Sequence, residues 1–190
     1  MITGFFAWWF KLSGWKINGE VPSDLKKAVV IAAPHTSNWD FLFSLAVFRI
    51  LKLKVNYLAK KELFTFPLSI ILKGTGGIPV ERSKKQNLTE FLISKFNKSD
   101  ELLIMIPAEG TRKLVSKWKS GFYFTALGAN VPVLPGYLDY QKKEAGFGAP
   151  IYLTGNHQND MQLFKEFYKD KVGKNPDQFS IDSIRIENEK

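Results

Sequence analysis

From Ala28 onward the chain alternates short β-branched apolar runs with segments of helical pattern. That alternation restricts it to layered α/β architectures, in which helices flank a largely parallel sheet. The clearest run, AVVIAAP at 28–34, has the character of a strand buried on both faces and stops at Pro34. HTSNWD follows. Thr36, Ser37 and Asn38 all suit a helix N-cap, and WDFLFSLAVFRIL reads as a mostly buried helix, so His35 falls at a strand-to-helix turn. Open α/β sheets place their ligands at such turns.

The same reading predicts strands at 55–59, 102–106, 131–138 and 150–154, with a weak final strand at 181–186. Helices are expected at 62–72, 88–97, 122–129 and 161–168, a Gly-rich turn at 74–77, and a hairpin-like turn at 142–149. PAEGTRKLVSKWKSG, from Pro107, is too polar and irregular for core and reads as a functional loop.

The 190 residues fit one domain, and with 45% hydrophobic and 24% charged residues they can bury a core. There is no cysteine, which excludes disulfide scaffolds, thiolate zinc sites and a cysteine nucleophile. Two histidines, His35 and His157, make a histidine-built metal cage improbable, so no metal site is expected. His157, in GNHQND, reads as a solvated loop residue.

The net charge is +9, and the excess is concentrated: 49–61 without Glu62, and 112–119, together hold nine Lys and Arg and no acid. Such runs suit an anionic partner, and an anionic membrane surface is the expectation. Nucleic acid is not expected, because the aromatics gather at the N-terminus and in apolar runs without an interleaved stacking pattern.

The opening FFAWWFKLSGW carries Phe5, Phe6, Trp8, Trp9, Phe10 and Trp15 beside Lys11 and Lys16. Aromatic rings favour the headgroup region of a bilayer, so residues 1–20 are expected to form a membrane-interfacial segment with these six rings in contact, ahead of the main domain at 21–190. The alternative is an N-terminal helix packed on the protein's own core. No run has the length and apolar character of a membrane span, and no basic n-region precedes Lys11, so a cytoplasmic protein, peripheral at the inner membrane face, is expected.

His35 and Asp40 are five positions apart. On an ideal helix that separation rotates by about 500°, so the two side chains can meet only if His35 precedes the first helical turn. Three further elements then occur in order: GGIPVER at 76–82, PAEGTR at 107–112 and VPVLPG at 131–136. With these blocks the sequence resembles the glycerolipid acyltransferase family, of which lysophosphatidate acyltransferase is the best-known type, marked by HxxxxD, GxxxxxR, EGTR and VPxxP. One departure is visible, since Pro107 and Ala108 precede Glu109 where the family usually has Phe-Pro.

The resemblance implies that His35 and Asp40 are the catalytic pair, and that Gly76 and Arg82 belong to an acceptor-binding block. Glu109, Gly110, Thr111 and Arg112 would help bind a glycerol-phosphate or similar polar head, and 131–135 would line the site. It implies an acyl-CoA or acyl-carrier protein as co-substrate and acyl donor, a lyso-lipid acceptor such as lysophosphatidate, and no cofactor. The expected activity is O-acyl transfer to a lyso-glycerophospholipid hydroxyl with His35 as general base. The alternatives are an acyltransferase for an ornithine-type or other phosphate-free lyso-lipid, and a non-catalytic basic membrane-binding module.

Overall fold

The computed structural model describes residues 2–81 and 88–186. Seven strands form one sheet: β1 (Lys16–Asn18), β2 (Lys27–Ala32), β3 (Val55–Lys60), β4 (Gly77–Val80), β5 (Leu102–Ile106), β6 (Val133–Asp139) and β7 (Glu144–Phe147). Their spatial order is β1-β7-β6-β2-β5-β3-β4. Every neighbouring pair is parallel except β6 with β7. The helices are α1 (Ile2–Leu12), α2 (Asn38–Ile50), α3 (Leu68–Gly74), α4 (Leu88–Asn97), α5 (Gly121–Ala129) and α6 (His157–Tyr168). The expected α/β fold with its largely parallel sheet is therefore the observed one.

The period-2 geometry of strands sorts the core into two layers. Ala28 and Val30 of β2, Leu103 and Met105 of β5, and Leu134 and Leu138 of β6 turn to one face, where they meet Phe43, Ala46 and Val47 of α2 and Phe10 of α1. Val29 and Ile31, Ile104, and Val133 and Tyr137 turn to the other, against Leu92 of α4, Phe122 of α5 and Phe164 of α6.

Several boundaries depart from the sequence reading. The expected helix at 62–72 is broken: a 3-10 turn at Lys61–Leu63 ends before Pro67, which has no N–H to donate and serves as the N-cap of α3. The expected strand at 150–154 shrinks to one bridge between Ile151 and Val133. The expected final strand at 181–186 is instead a 3-10 turn, Ile181–Ser183, begun by the Ser180 hydroxyl accepting from the Asp182 N–H. Conversely, β7 lies inside the expected turn at 142–149, and β1 beside it carried no strand signal because it has only three residues. His157 is not a solvated loop residue. It opens α6 with its ring centroid 5.0 Å from that of Tyr123 and its Nδ1 buried.

Candidate active site

Strands β2 and β5 are adjacent and parallel, yet their chains leave in opposite directions: β2 runs into α2 on one face, and β5 leads to α5 on the other. The divergence opens a crevice at the carboxyl ends of the two strands, the general location of ligand sites in such sheets. His35 lies in the turn after β2, and Glu109 to Arg112 in the loop after β5.

The spacing of His35 and Asp40 is set by how α2 begins. Ser37 is the N-cap, its hydroxyl accepting from the Trp39 N–H, and Asp40 occupies the N3 position of a capping box. An N3 carboxylate must turn back over the helix start, and there it meets the side chain two residues before the cap. Asp40 Oδ2 accepts from the Thr36 and Ser37 N–H groups, each at 2.8 Å, and lies 3.3 Å from His35 Nδ1. Its Oδ1 accepts from the Tyr140 hydroxyl at 2.8 Å. Asp40 is buried at the first turn of α2. A carboxylate beside Nδ1 holds the proton on that nitrogen and leaves Nε2 as the basic one. His35 thus precedes the first helical turn, as the spacing demands.

Glu109 is 1% exposed and lies beneath this turn. Both its oxygens accept from the His35 backbone N–H, at 3.0 and 3.2 Å. Burial, with a smaller contribution from Asp40, outweighs that hydrogen bond and pushes the Glu109 carboxyl up to about 8. The expectation that Glu109 contacts the polar head of a substrate is corrected by this burial: it fixes the backbone that carries His35, and no ion pair joins it to Arg112 among the described residues.

Gly110 follows with φ +70°, a left-handed conformation that glycine adopts without strain, and a Cβ there would stand 3.1 Å from Lys119 Cγ. The turn brings Gly110, Thr111 and Arg112 to the wall of a cavity of about 550 Å³. His35 and Asp40 also line it, as does Lys60 at the end of β3. Its deeper walls are apolar and come mainly from the α2 side of the sheet, including Val30, Val47, Phe48, Met105, Leu138 and Phe147.

Not every expected lining residue reaches this space. Gly76 lies at the amino end of β4, the opposite end of the parallel sheet from His35, where its positive φ and the Val55 carbonyl 2.5 Å from an added Cβ show a tight backbone turn. On β6 the wall is made by Gly136, Tyr137 and Leu138 rather than by 131–135, because only the carboxyl end of that strand faces the crevice. Arg82 lies outside the described residues.

A family model described as Acyltransferase matches residues 15–139, well over half of the chain. The chain belongs to the acyltransferase family. In fold this acyltransferase is similar to the crystal structure of the 1-acyl-sn-glycerophosphate (LPA) acyltransferase, PlsC, from Thermotoga maritima. The TM-score is 0.56 at 18% identity, covering 91% of this chain and 80% of that one. No curated protein sequence matches it.

Two features of the acyltransferase site carried no sequence signal. Tyr140 reaches Asp40 from 100 residues away, and its hydroxyl is held as a donor because burial and the neighbouring carboxylate push its ionisation well above the ordinary range. The polar segment from Gly173 clasps the turn that carries His35: the Asn175 N–H donates to the Thr36 hydroxyl at 3.1 Å, and its side-chain amide donates to the Thr36 carbonyl at 2.7 Å. Both are long-range contacts between polar residues, which no local periodicity reveals.

The six N-terminal aromatics divide into two groups. Phe5 and Trp8 are each 59% exposed. Phe10 at 1% and Trp15 at 8% belong to the core with α2, so the expectation that they touch lipid is corrected. Trp9, partly buried, stacks edge-on against Trp39 with ring centroids 5.1 Å apart. Phe6 packs against the same core. Among the described residues no helix is long and apolar enough to cross a membrane.

Proposed function

We propose that the acyltransferase moves a fatty acyl group from acyl-CoA or acyl-carrier protein to the hydroxyl of a lyso-glycerophospholipid such as lysophosphatidate. The observation that carries this reading is the His35–Asp40 pair, 3.3 Å apart, at the mouth of a cavity that is apolar within and cationic at the rim. An apolar interior suits an acyl chain, and Lys60 and Arg112 suit the oxygens of a phosphate, Arg112 by its planar fork. PlsC, whose fold this chain shares, is named for a 1-acyl-sn-glycerophosphate acceptor.

The chemistry asks for no covalent enzyme intermediate. As the acceptor oxygen attacks the thioester carbonyl, His35 Nε2 takes its proton, and Asp40 stabilises the imidazolium that forms. The tetrahedral intermediate collapses with cleavage of the C–S bond, and the imidazolium returns the proton to the departing thiolate. The products are an ester and a free thiol. Membrane association at the cytoplasmic face, through residues 1–20 and the basic runs, would bring the site to its acceptor.

The test is lipid mass spectrometry of the purified protein with a panel of lyso-lipids and acyl donors, run beside His35→Ala. Acylated product from phosphate-bearing lyso-lipids, lost in the variant, is the expected result. Product confined to phosphate-free acceptors would replace the acceptor assignment, and undiminished transfer by His35→Ala would overturn the mechanism.

A further inference from the structure

The segment from Leu63 to Ile71 places five large apolar side chains on the surface. Leu63, Phe66, Leu68, Ile70 and Ile71 are all exposed, Phe66 at 84% and Ile70 at 65%. Helix α3 buries none of its residues, and Leu72 alone leans on the core of the α2 side. A patch of this size on consecutive turns exceeds the scattered single apolar residues that soluble surfaces tolerate. Its position is also particular. Leu63 and Leu72 line the cavity that contains His35, so the apolar surface runs from the outside of the molecule into the site.

The charge around the patch selects its partner. Lys60, Lys61 and Lys73 flank it, all exposed, and Lys61 lies 4.0 Å from Glu81. Lys52 and Lys54 precede β3, and Glu62 is the one acid within 52–73. Apolar side chains ringed by lysine match an interface with hydrocarbon below and phosphate at the level of the ammonium groups.

We infer that the 63–71 surface docks on an anionic lipid bilayer and seats the mouth of the cavity against it, as a contact separate from the N-terminal helix. This builds on the lyso-lipid reading above for its purpose, but binding can be measured without any acyl transfer, so the two can fail independently. Phe66→Ser with Ile70→Ser removes the two most exposed side chains of the patch, neither of which lines the cavity.

The experiment is co-sedimentation of the full chain with vesicles of phosphatidylcholine, with and without phosphatidylglycerol, beside circular dichroism and sedimentation velocity. The wild type is expected to bind the anionic vesicles more tightly than the neutral ones. The double variant should keep its dichroism and lose about tenfold or more in partitioning. If the double variant misfolds, Phe66→Ser alone is read for the same loss. Wild-type binding that is absent, or equal on both vesicles, overturns the inference. So does a folded variant that binds as well as wild type, including the case in which Phe5→Ser with Trp8→Ser abolishes binding by itself. A variant that changes only from dimer to monomer, with vesicle binding intact, would assign the patch to a second copy of the chain instead.

Discussion

Tyr140 donates its hydroxyl to Asp40 Oδ1 at 2.8 Å, on the oxygen that His35 leaves free. The two carboxylate oxygens thus divide the work, Oδ2 holding the turn and the imidazole while Oδ1 is fixed by the tyrosine. Removing the hydroxyl takes away the donor on Oδ1 and leaves Asp40 held through Oδ2 alone. Tyr140→Phe is expected to lower kcat by about 10-fold to 100-fold, the scale of one hydrogen bond to a charged group. The KM values for donor and acceptor should change far less than kcat, a split that simple loosening of the fold does not produce. Parallel changes in kcat and in both KM values would reduce Tyr140 to packing.

Glu109 offers a second test, through pH. Below its ordinary value of 4.5, folded and unfolded chains both carry the proton; between 4.5 and about 8 the folded chain keeps a proton that the unfolded chain releases. The stability this group contributes is therefore complete at low pH and is lost as pH rises through about 8. Glu109→Gln keeps an oxygen to accept from the His35 N–H and cannot titrate. Urea unfolding should show the wild type losing about 1–4 kcal/mol more than the variant across that window. Parallel pH dependence in the two proteins would contradict a buried, neutral Glu109.

What could be read in advance followed from local chemistry. The runs at 28–34 and 102–106 are apolar and β-branched enough to be strands in any context, and the HTSNWD turn announces a cap, so β2, β5, α2 and the placing of His35 were all legible. The irregular loop from Pro107 is legible from its polar composition, but the burial of Glu109 is not, because a sequence shows a carboxylate and not its surroundings. Tyr140 and Asn175 were invisible for a different reason. Each acts on a partner 100 or more residues away through hydrogen bonds alone, and neither its neighbours nor any periodicity marks it. The N-terminal rings were read as one group, although helical geometry turns Trp8 outward and Phe10 inward.

The cavity makes a claim about chain length. Ser44 lies on α2 and lines the cavity between Asp40 and Val47, so a larger side chain there should shorten the apolar space. Ser44→Phe is expected to reduce kcat/KM for long acyl donors more than about tenfold while sparing short ones, since each lost methylene contact changes binding by about 1 kcal/mol or more. The measurement is kcat/KM across a series of donor chain lengths. A uniform fall at all lengths would place the acyl chain elsewhere.

Trp8 and Trp15 share a residue type and a short stretch of chain, yet they stand in opposite environments, one exposed and one buried. Trp15 packs against Phe43 and Tyr140, each with ring centroids 4.9 Å away, and against Phe10 at 5.5 Å. Trp15→Ala should therefore cost about 3–5 kcal/mol of stability, as for other buried aromatics. It should also lower kcat, because Tyr140 loses the ring that steadies it against Asp40. Among the described aromatics Trp8 touches only Phe5, at 6.1 Å, and Trp8→Ala should change stability by less than about 0.5 kcal/mol. Its effect should appear instead as weaker partitioning to anionic vesicles, with activity on a detergent-dispersed acceptor unchanged. Urea unfolding and vesicle co-sedimentation of the two variants separate the roles: comparable destabilisation by both would mean that the outer face of α1 is packed rather than presented to a membrane.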